Sequence, residues 1–187
     1  MRKLIVAAVA VLSVSTVVAL YAADKESQPK VGKEAKDFEL PVLGGEKTKL
    51  STLAKNGPVV LVVLRGNPGY QCPLCTTQFN SFLGKADELK AAGATVAFVY
   101  PGPSDKLVEK AGEFMKGKDY PAHFTILLDP DYSFTNAYGL RWDAKNETSY
   151  ASTFVMDAKR MVTFAKISKG HGDRAKIADV LKALPAK

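Results

Sequence analysis

The sequence predicts an α/β fold: a central mixed β-sheet covered by helices on both faces, with a short β-hairpin in front. Three observations carry that expectation. Strand and helix signals alternate along most of the chain. Two apolar runs, Val59–Leu64 and Thr95–Tyr100, have the continuous hydrophobicity of strands buried on both faces. A late pair of β-type runs, Ser152–Met156 and Val162–Ile167, is joined by the turn Asp157-Ala158-Lys159-Arg160.

Taken in order, Phe38-Glu39-Leu40 and Thr48-Lys49-Leu50 flank Gly44-Gly45 and predict the opening hairpin. After the Val59–Leu64 strand, apolar residues at Leu74, Phe79, Phe82, Leu83, Ala86 and Leu89 lie on one helical face, so one helix is expected from Pro73 or Leu74 to about Ala92, with Gly93 as its stop. Pro101-Gly102-Pro103 should break the second strand before a helix capped by Ser104 or Asp105. Thr125–Leu128 reads as a third strand ending at Asp129-Pro130-Asp131, and a short helix should cover Phe134–Tyr138. The last element is a helix over Asp173–Leu184 with Asp173 as its cap. No internal repeat or low-complexity block interrupts this order.

The chain has 187 residues, enough for one domain with an ordinary core. Its first residues resemble none of the rest. Met1-Arg2-Lys3 is basic, Leu4 to Leu20 is apolar apart from Ser13, Ser15 and Thr16, and Tyr21-Ala22-Ala23 ends in small residues. Residues 1–23 therefore read as an export signal or, because the run can span a bilayer at about 1.5 Å per residue, as an N-terminal membrane anchor. Residues 24–34 are polar and aperiodic and read as a flexible tether, which leaves 35–187 as the folded domain. The net charge of +7 is spread among acids along helices, a solvated pattern that argues against nucleic acid as a partner.

Both cysteines of the chain, Cys72 and Cys75, lie two residues apart at the junction of a strand and a helix, within Pro68-Gly69-Tyr70-Gln71-Cys72-Pro73-Leu74-Cys75-Thr76-Thr77-Gln78. A helix N-terminus favours thiolate, and the Cys-x-x-Cys spacing lets the second thiol resolve a bond formed by the first. Other uses fit less well. A structural disulfide closing so short a ring would contribute roughly 2 kcal/mol, well below what a long loop gives. Zinc would need two further ligands, and His123 and His171 are far apart. A c-type haem site would need His where Thr76 stands. No metal or organic cofactor is implied. Tyr70 and Trp142 read as packing residues, His123 as a loop residue, His171 as part of the turn into the last helix, and Asn146-Glu147-Thr148 as a glycosylation sequon.

With this motif in this order of elements, the chain resembles the thioredoxin-fold superfamily, and within it the alkyl hydroperoxide reductase/thiol-specific antioxidant (peroxiredoxin-like, redoxin) branch. The likeness covers about residues 31–184. It rests on Val31 to Leu40, Leu50-Ser51-Thr52-Leu53, Leu127-Leu128-Asp129-Pro130-Asp131, Ala137-Tyr138-Gly139-Leu140 and Ser152 to Asp157. The resemblance implies a thioredoxin-like fold and a thiol oxidoreductase acting on a peroxide or a protein disulfide, with electrons from an external thiol donor; the leader adds the expectation of export.

Two templates assign the cysteines differently. Peroxiredoxins carry Pro-x-x-x-Thr-x-x-Cys; Pro68 and Cys75 match, Cys72 stands at the threonine, and Cys75 would be the peroxidatic thiolate resolved by Cys72. Thioredoxin-like reductases carry Cys-Pro-x-Cys, with Cys72 as nucleophile and Cys75 resolving. Two positions depart from both patterns. Ala151 stands where peroxiredoxins place an arginine and reductases a cis-proline, leaving Arg65 or Arg141 as replacement cations, and Gln78 stands where a carboxylate is frequent. The expected activity is peroxide reduction through a Cys72–Cys75 dithiol/disulfide cycle. The alternatives are a thiol-disulfide reductase of envelope proteins and a non-catalytic envelope domain with a structural disulfide.

Overall fold

The computed structural model describes residues 26–185; the expected signal or anchor over 1–23 lies outside them. Among the described residues no helix is long and apolar enough to cross a membrane. Strands β1 (Glu39–Pro41) and β2 (Lys47–Lys49) pair antiparallel as the expected hairpin. A short helix, α1 (Leu50–Leu53), and a 3-10 turn (Ala54–Asn56) lead into β3 (Val59–Val63), which is followed by α2 (Pro73–Leu83), α3 (Ala86–Ala91) and β4 (Thr95–Gly102). Then come α4 (Leu107–Met115), β5 (Phe124–Pro130), α5 (Ser133–Ala137), β6 (Ser152–Met156), β7 (Val162–Ile167) and α6 (Ile177–Ala183). The main sheet has the order β5-β4-β3-β6-β7, parallel across β5, β4 and β3 and antiparallel across β3, β6 and β7.

Strand β3 occupies the centre because every residue of it is apolar and buried. The period of two sends Val60, Val62 and Leu64 to one face, against Phe79, Phe82, Phe114 and Val180 from the helices. Val59, Leu61 and Val63 go to the other, against Leu50, Phe134, Tyr138 and Phe154. Phe79 alone meets Phe98, Phe114, Tyr120 and Phe124, and full burial of such a side chain is worth about 1.5–3 kcal/mol. That contact sets the depth at which α2 sits, and α2 begins at the cysteines.

Several expected boundaries move, each for a local reason. The single helix over 73–92 is two helices, because the chain stops at Gly84, a residue about 1 kcal/mol worse than alanine inside a helix, and Lys85 leaves the helical region with φ −122°. Phe82 and Leu89, either side of the break, both remain fully buried. Strand β4 runs through Pro101 and Gly102. Leu64 N–H donates to Val99 O, so Pro101, two residues on, turns its own nitrogen toward β3, which has already ended, and no ladder bond is lost.

Neither Ser104 nor Asp105 caps α4: Ser104 N–H donates to Asp131 Oδ1 at 2.9 Å, and the helix starts at Leu107 with no side-chain cap. Asp173 does not cap α6 either. Its carboxylate accepts from Lys169 N–H at 3.0 Å and pairs with Lys166 at 2.5 Å, so the chain stays a loop until Ile177. Residues 28–34, expected as part of a tether, are bound to the body instead. Gln28 Nε2 donates to Gly139 O at 2.8 Å, Gly32 N–H to Val162 O at 2.9 Å, and Val162 N–H to Lys33 O at 2.9 Å.

Candidate functional site

The chain leaves β3 at Val63, crosses Leu64 to Gln71 as a loop, and enters α2 with Cys72 as the N-cap residue and Pro73 in the first turn. Proline suits that place because its φ is already helical and it has no N–H to leave unpaired. Cys72 O accepts from Cys75 N–H at 3.1 Å and from Thr76 N–H at 3.3 Å, which tightens the turn and brings both sulfurs to one spot. The two cysteines are free thiols; Cys72 is 3 % exposed and Cys75 is fully buried.

Their environments push the two thiols apart. Cys72 is held below the ordinary thiol range, first by the hydrogen bond it accepts from the Cys75 thiol; burial opposes this, and the Cys75 N–H and the charges of Arg174 and Arg65 add to it. Cys75 is held above that range, because it is the donor to Cys72 and because it is buried. The arrangement favours the thiolate on Cys72 and the proton on Cys75. It favours the second of the two templates for the attacking residue, although Pro68 and Cys75 match the peroxiredoxin spacing.

The cation beside the sulfurs is Arg174, not Arg141. Arg174 Nη2 lies 3.8 Å from Cys72 Sγ and 3.7 Å from Cys75 Sγ, while Nη1 donates to Gln78 Oε1 at 2.6 Å and Nε to His171 O at 3.0 Å. Gln78 is buried and its amide nitrogen donates to Thr153 Oγ1 at 3.3 Å. Arg141 instead donates to Trp142 O at 2.6 Å and lies over the Tyr132 ring at 4.0 Å, so it braces the 142–148 loop. The only sign of Arg174 in the sequence is indirect: Ala151 removes a cation from its usual place, and the demand for one has to be met from elsewhere.

Arg65 contributes from behind. Its Nε donates to Glu147 Oε2 at 2.8 Å, Nη1 to Tyr70 Oη at 2.8 Å and Nη2 to Asn146 O at 2.7 Å, and the Thr148 hydroxyl donates to Arg65 O. The triplet read as a sequon is thus the cradle of Arg65, with Thr148 buried. Burial would push Arg65 down, but the bonds to Glu147 and Tyr70 outweigh it and keep the guanidinium charged. Burial likewise opposes the charge on Glu147, yet the bonds to Arg65 and His171 hold its carboxyl below the usual range. His171 Nε2 is 2.9 Å from Glu147 Oε1, and Trp142 stacks on Tyr150 at 4.8 Å with His171 at 5.2 Å. Tyr70 is 52 % exposed and Trp142 is half-buried, so neither is a core residue. His123 is half-buried, its Nε2 3.1 Å from Ala86 O, remote from the thiols in the fold.

A five-stranded mixed sheet with a leading hairpin and a thiol pair on the first turn of α2 defines a thioredoxin-fold thiol oxidoreductase of the peroxiredoxin type. Solved structures with this fold include peroxidoxin BcpB from Mycobacterium tuberculosis, 26% identical with a TM-score of 0.69 over 84% of this chain and 97% of that one. The yeast mitochondrial 1-Cys peroxiredoxin is 17% identical with a TM-score of 0.65, over 81% of this chain and 73% of that one. The bacterioferritin comigratory protein of Xanthomonas campestris is 19% identical with a TM-score of 0.59, over 79% and 89%. At those two identities the likeness is one of fold. No curated protein matches the chain. Residues 31–165 match the AhpC/TSA family, and the chain belongs to it.

Proposed function

We propose that the protein is an exported thiol peroxidase in which Cys72 reduces a peroxide and Cys75 resolves it. The observation that carries this is the burial of both sulfurs beneath Arg174. A protein disulfide must bring a bulky sulfur in line with an exposed thiolate, whereas a peroxide needs only a narrow approach. A groove of about 370 Å³ reaches Arg174 between α2 and the 172–177 segment, with Leu74, Ala175 and Ile177 among its walls. It suits the apolar part of an organic hydroperoxide. The reported alkyl peroxide reduction activity of the Xanthomonas protein supports the same substrate class, and the leader over 1–23 supports export.

In the first step the Cys72 thiolate attacks one peroxide oxygen and the O–O bond breaks. Cys72 becomes a sulfenic acid, and the departing alkoxide takes the proton of Cys75. Loss of the negative charge on Cys72 removes the first of the causes that had kept that proton on Cys75. The new Cys75 thiolate attacks the Cys72 sulfur, an S–S bond forms, and hydroxide leaves and is protonated to water. An external dithiol then reduces the disulfide, itself being oxidised. The thiol resolution of the yeast protein through glutathione and thioredoxin systems supports a donor of this kind.

The test is peroxide consumption with dithiothreitol as reductant. Wild type should turn over, Cys75→Ser should form one equivalent of sulfenic acid on Cys72, and Cys72→Ser should form none. Sulfenic acid on Cys75 in Cys72→Ser would reverse the assignment. Insulin reduction without peroxide consumption would establish the reductase reading, and a reduction potential far below about −300 mV would mark an inert bond.

A further inference from the structure

Two guanidinium groups stand near the sulfurs, and they are neutralised differently. Arg65 is paired with Glu147 at 2.8 Å. Arg174 forms no ion pair among the described residues: its donors go to the Gln78 amide oxygen, the His171 carbonyl and the two sulfurs. Its charge therefore acts on the sulfurs undivided. Gln78 is fixed in turn by Thr153 at the centre of the sheet, in the register pair Val62–Thr153 between β3 and β6. The amide is oriented by this bond, so its oxygen faces Arg174.

We propose that Arg174 is the catalytic cation of this site and Gln78 the positioning residue that holds it over both sulfurs. The role rests on the Cys72–Cys75 chemistry proposed above and adds to it a group from another part of the chain. Contact with both sulfurs matters because negative charge moves between them in the cycle: it starts on Cys72, passes to the departing oxygen and then lies on Cys75. One guanidinium at 3.8 and 3.7 Å faces the charge at the start and at the resolving step without moving. A neutral partner at 78 is part of the design. A carboxylate there would pair with Arg174 and set a second negative charge beside the thiolate.

The other titratable groups facing the sulfurs are Arg65, at the end of β3, and Tyr100 on β4. Burial pushes the Tyr100 hydroxyl up, and it donates to Gln71 Oε1 at 2.9 Å, so it stays neutral. The pH dependence of thiol reactivity therefore belongs to the cysteine pair, and the two arginines set where on the pH scale it falls.

The experiment measures the rate of iodoacetamide labelling against pH in the reduced full chain, for wild type, Arg174→Ala, Arg174→Lys and Gln78→Glu. Circular dichroism and thermal melting report folding. Removing the cation or adding the carboxylate should move the profile to higher pH and slow labelling on its acidic limb by about tenfold or more; Arg174→Lys should retain part of the wild-type rate. Gln78→Glu keeps the size of the side chain, so it serves even where Arg174→Ala fails to fold. Unchanged profiles in folded Gln78→Glu and Arg174→Lys would overturn the proposal. Labelling needs no peroxide, so a shifted profile in an enzyme that consumes no peroxide would uphold Arg174 while refuting the peroxidase reading.

Discussion

Replacing Gly66 by alanine tests how the end of β3 delivers the site. Gly66 has φ +70°, and a Cβ placed on it would lie 2.1 Å from Pro101 O and 3.0 Å from Pro101 Cδ. The left-handed conformation costs a non-glycine residue about 1–2 kcal/mol. Overlap with a backbone oxygen cannot be relieved by a rotamer change, so Gly66 and Pro101 have to move apart, with a cost of the overpacking kind, about 1–3 kcal/mol. Together Gly66→Ala should lose about 2–5 kcal/mol. Gly117 is the control, because it has φ +71° with nothing within 4 Å of its would-be Cβ and should show only the first cost. Urea unfolding followed by the fluorescence of the single tryptophan, Trp142, reads both. With an m-value of about 2 kcal/mol per molar, a loss of 3 kcal/mol moves the midpoint by about 1.5 M. Equal losses in the two variants would refute the claim that Pro101 crowds Gly66. The displaced chain also carries Arg65, so Gly66→Ala should raise the pH at which the thiols label.

Iodoacetamide at mildly acidic pH should modify Cys72 before Cys75, as read by peptide mass spectrometry; prior labelling of Cys75 would contradict the placement of the proton on that residue. Glu147 has a depressed pKa in the folded state, so its contribution is fully present above the ordinary carboxylate range and is lost as pH falls through its lowered value. Acid titration of stability should be shallower in Glu147→Gln than in wild type below about pH 4, and parallel curves would show that the Arg65 pair contributes nothing there. Ile177→Asp should slow turnover of cumene hydroperoxide more than of hydrogen peroxide, measured as kcat/KM for each, and an equal effect on both would remove the groove from substrate binding.

The strands were legible because burial on both faces leaves a mark in composition. Val59 to Leu64 contains no polar residue, and the observed β3 lies within it. The helix starts were less legible, since each candidate cap was taken up by a competing partner. Ser104 looks like a cap until Asp131, 27 residues on, takes its N–H. Asp173 looks like another until Lys166 and Lys169 engage its carboxylate from the N-terminal side. A capping preference of about 1 kcal/mol is small enough to be overridden by either arrangement.

The same contrast separates the cysteines from the groups around them. A thiol pair at a strand-to-helix junction carries its meaning within four consecutive residues, but Arg174 is 99 residues from Cys75 in sequence. It sits in Gly172-Asp173-Arg174, a stretch that reads as the capped start of the last helix. What brings it inward is the displaced start of α6. Because Asp173 binds back toward Lys169 and does not begin a helix, residues 170 to 176 remain loop, and that loop lets Arg174 reach Gln78 and the sulfurs. The missed cap and the missed cation are therefore one event. A helix starting at Asp173 would have put Arg174 in its first turn, where a positive charge opposes the helix dipole. The dipole of a later helix leaves that charge free to act on the thiols.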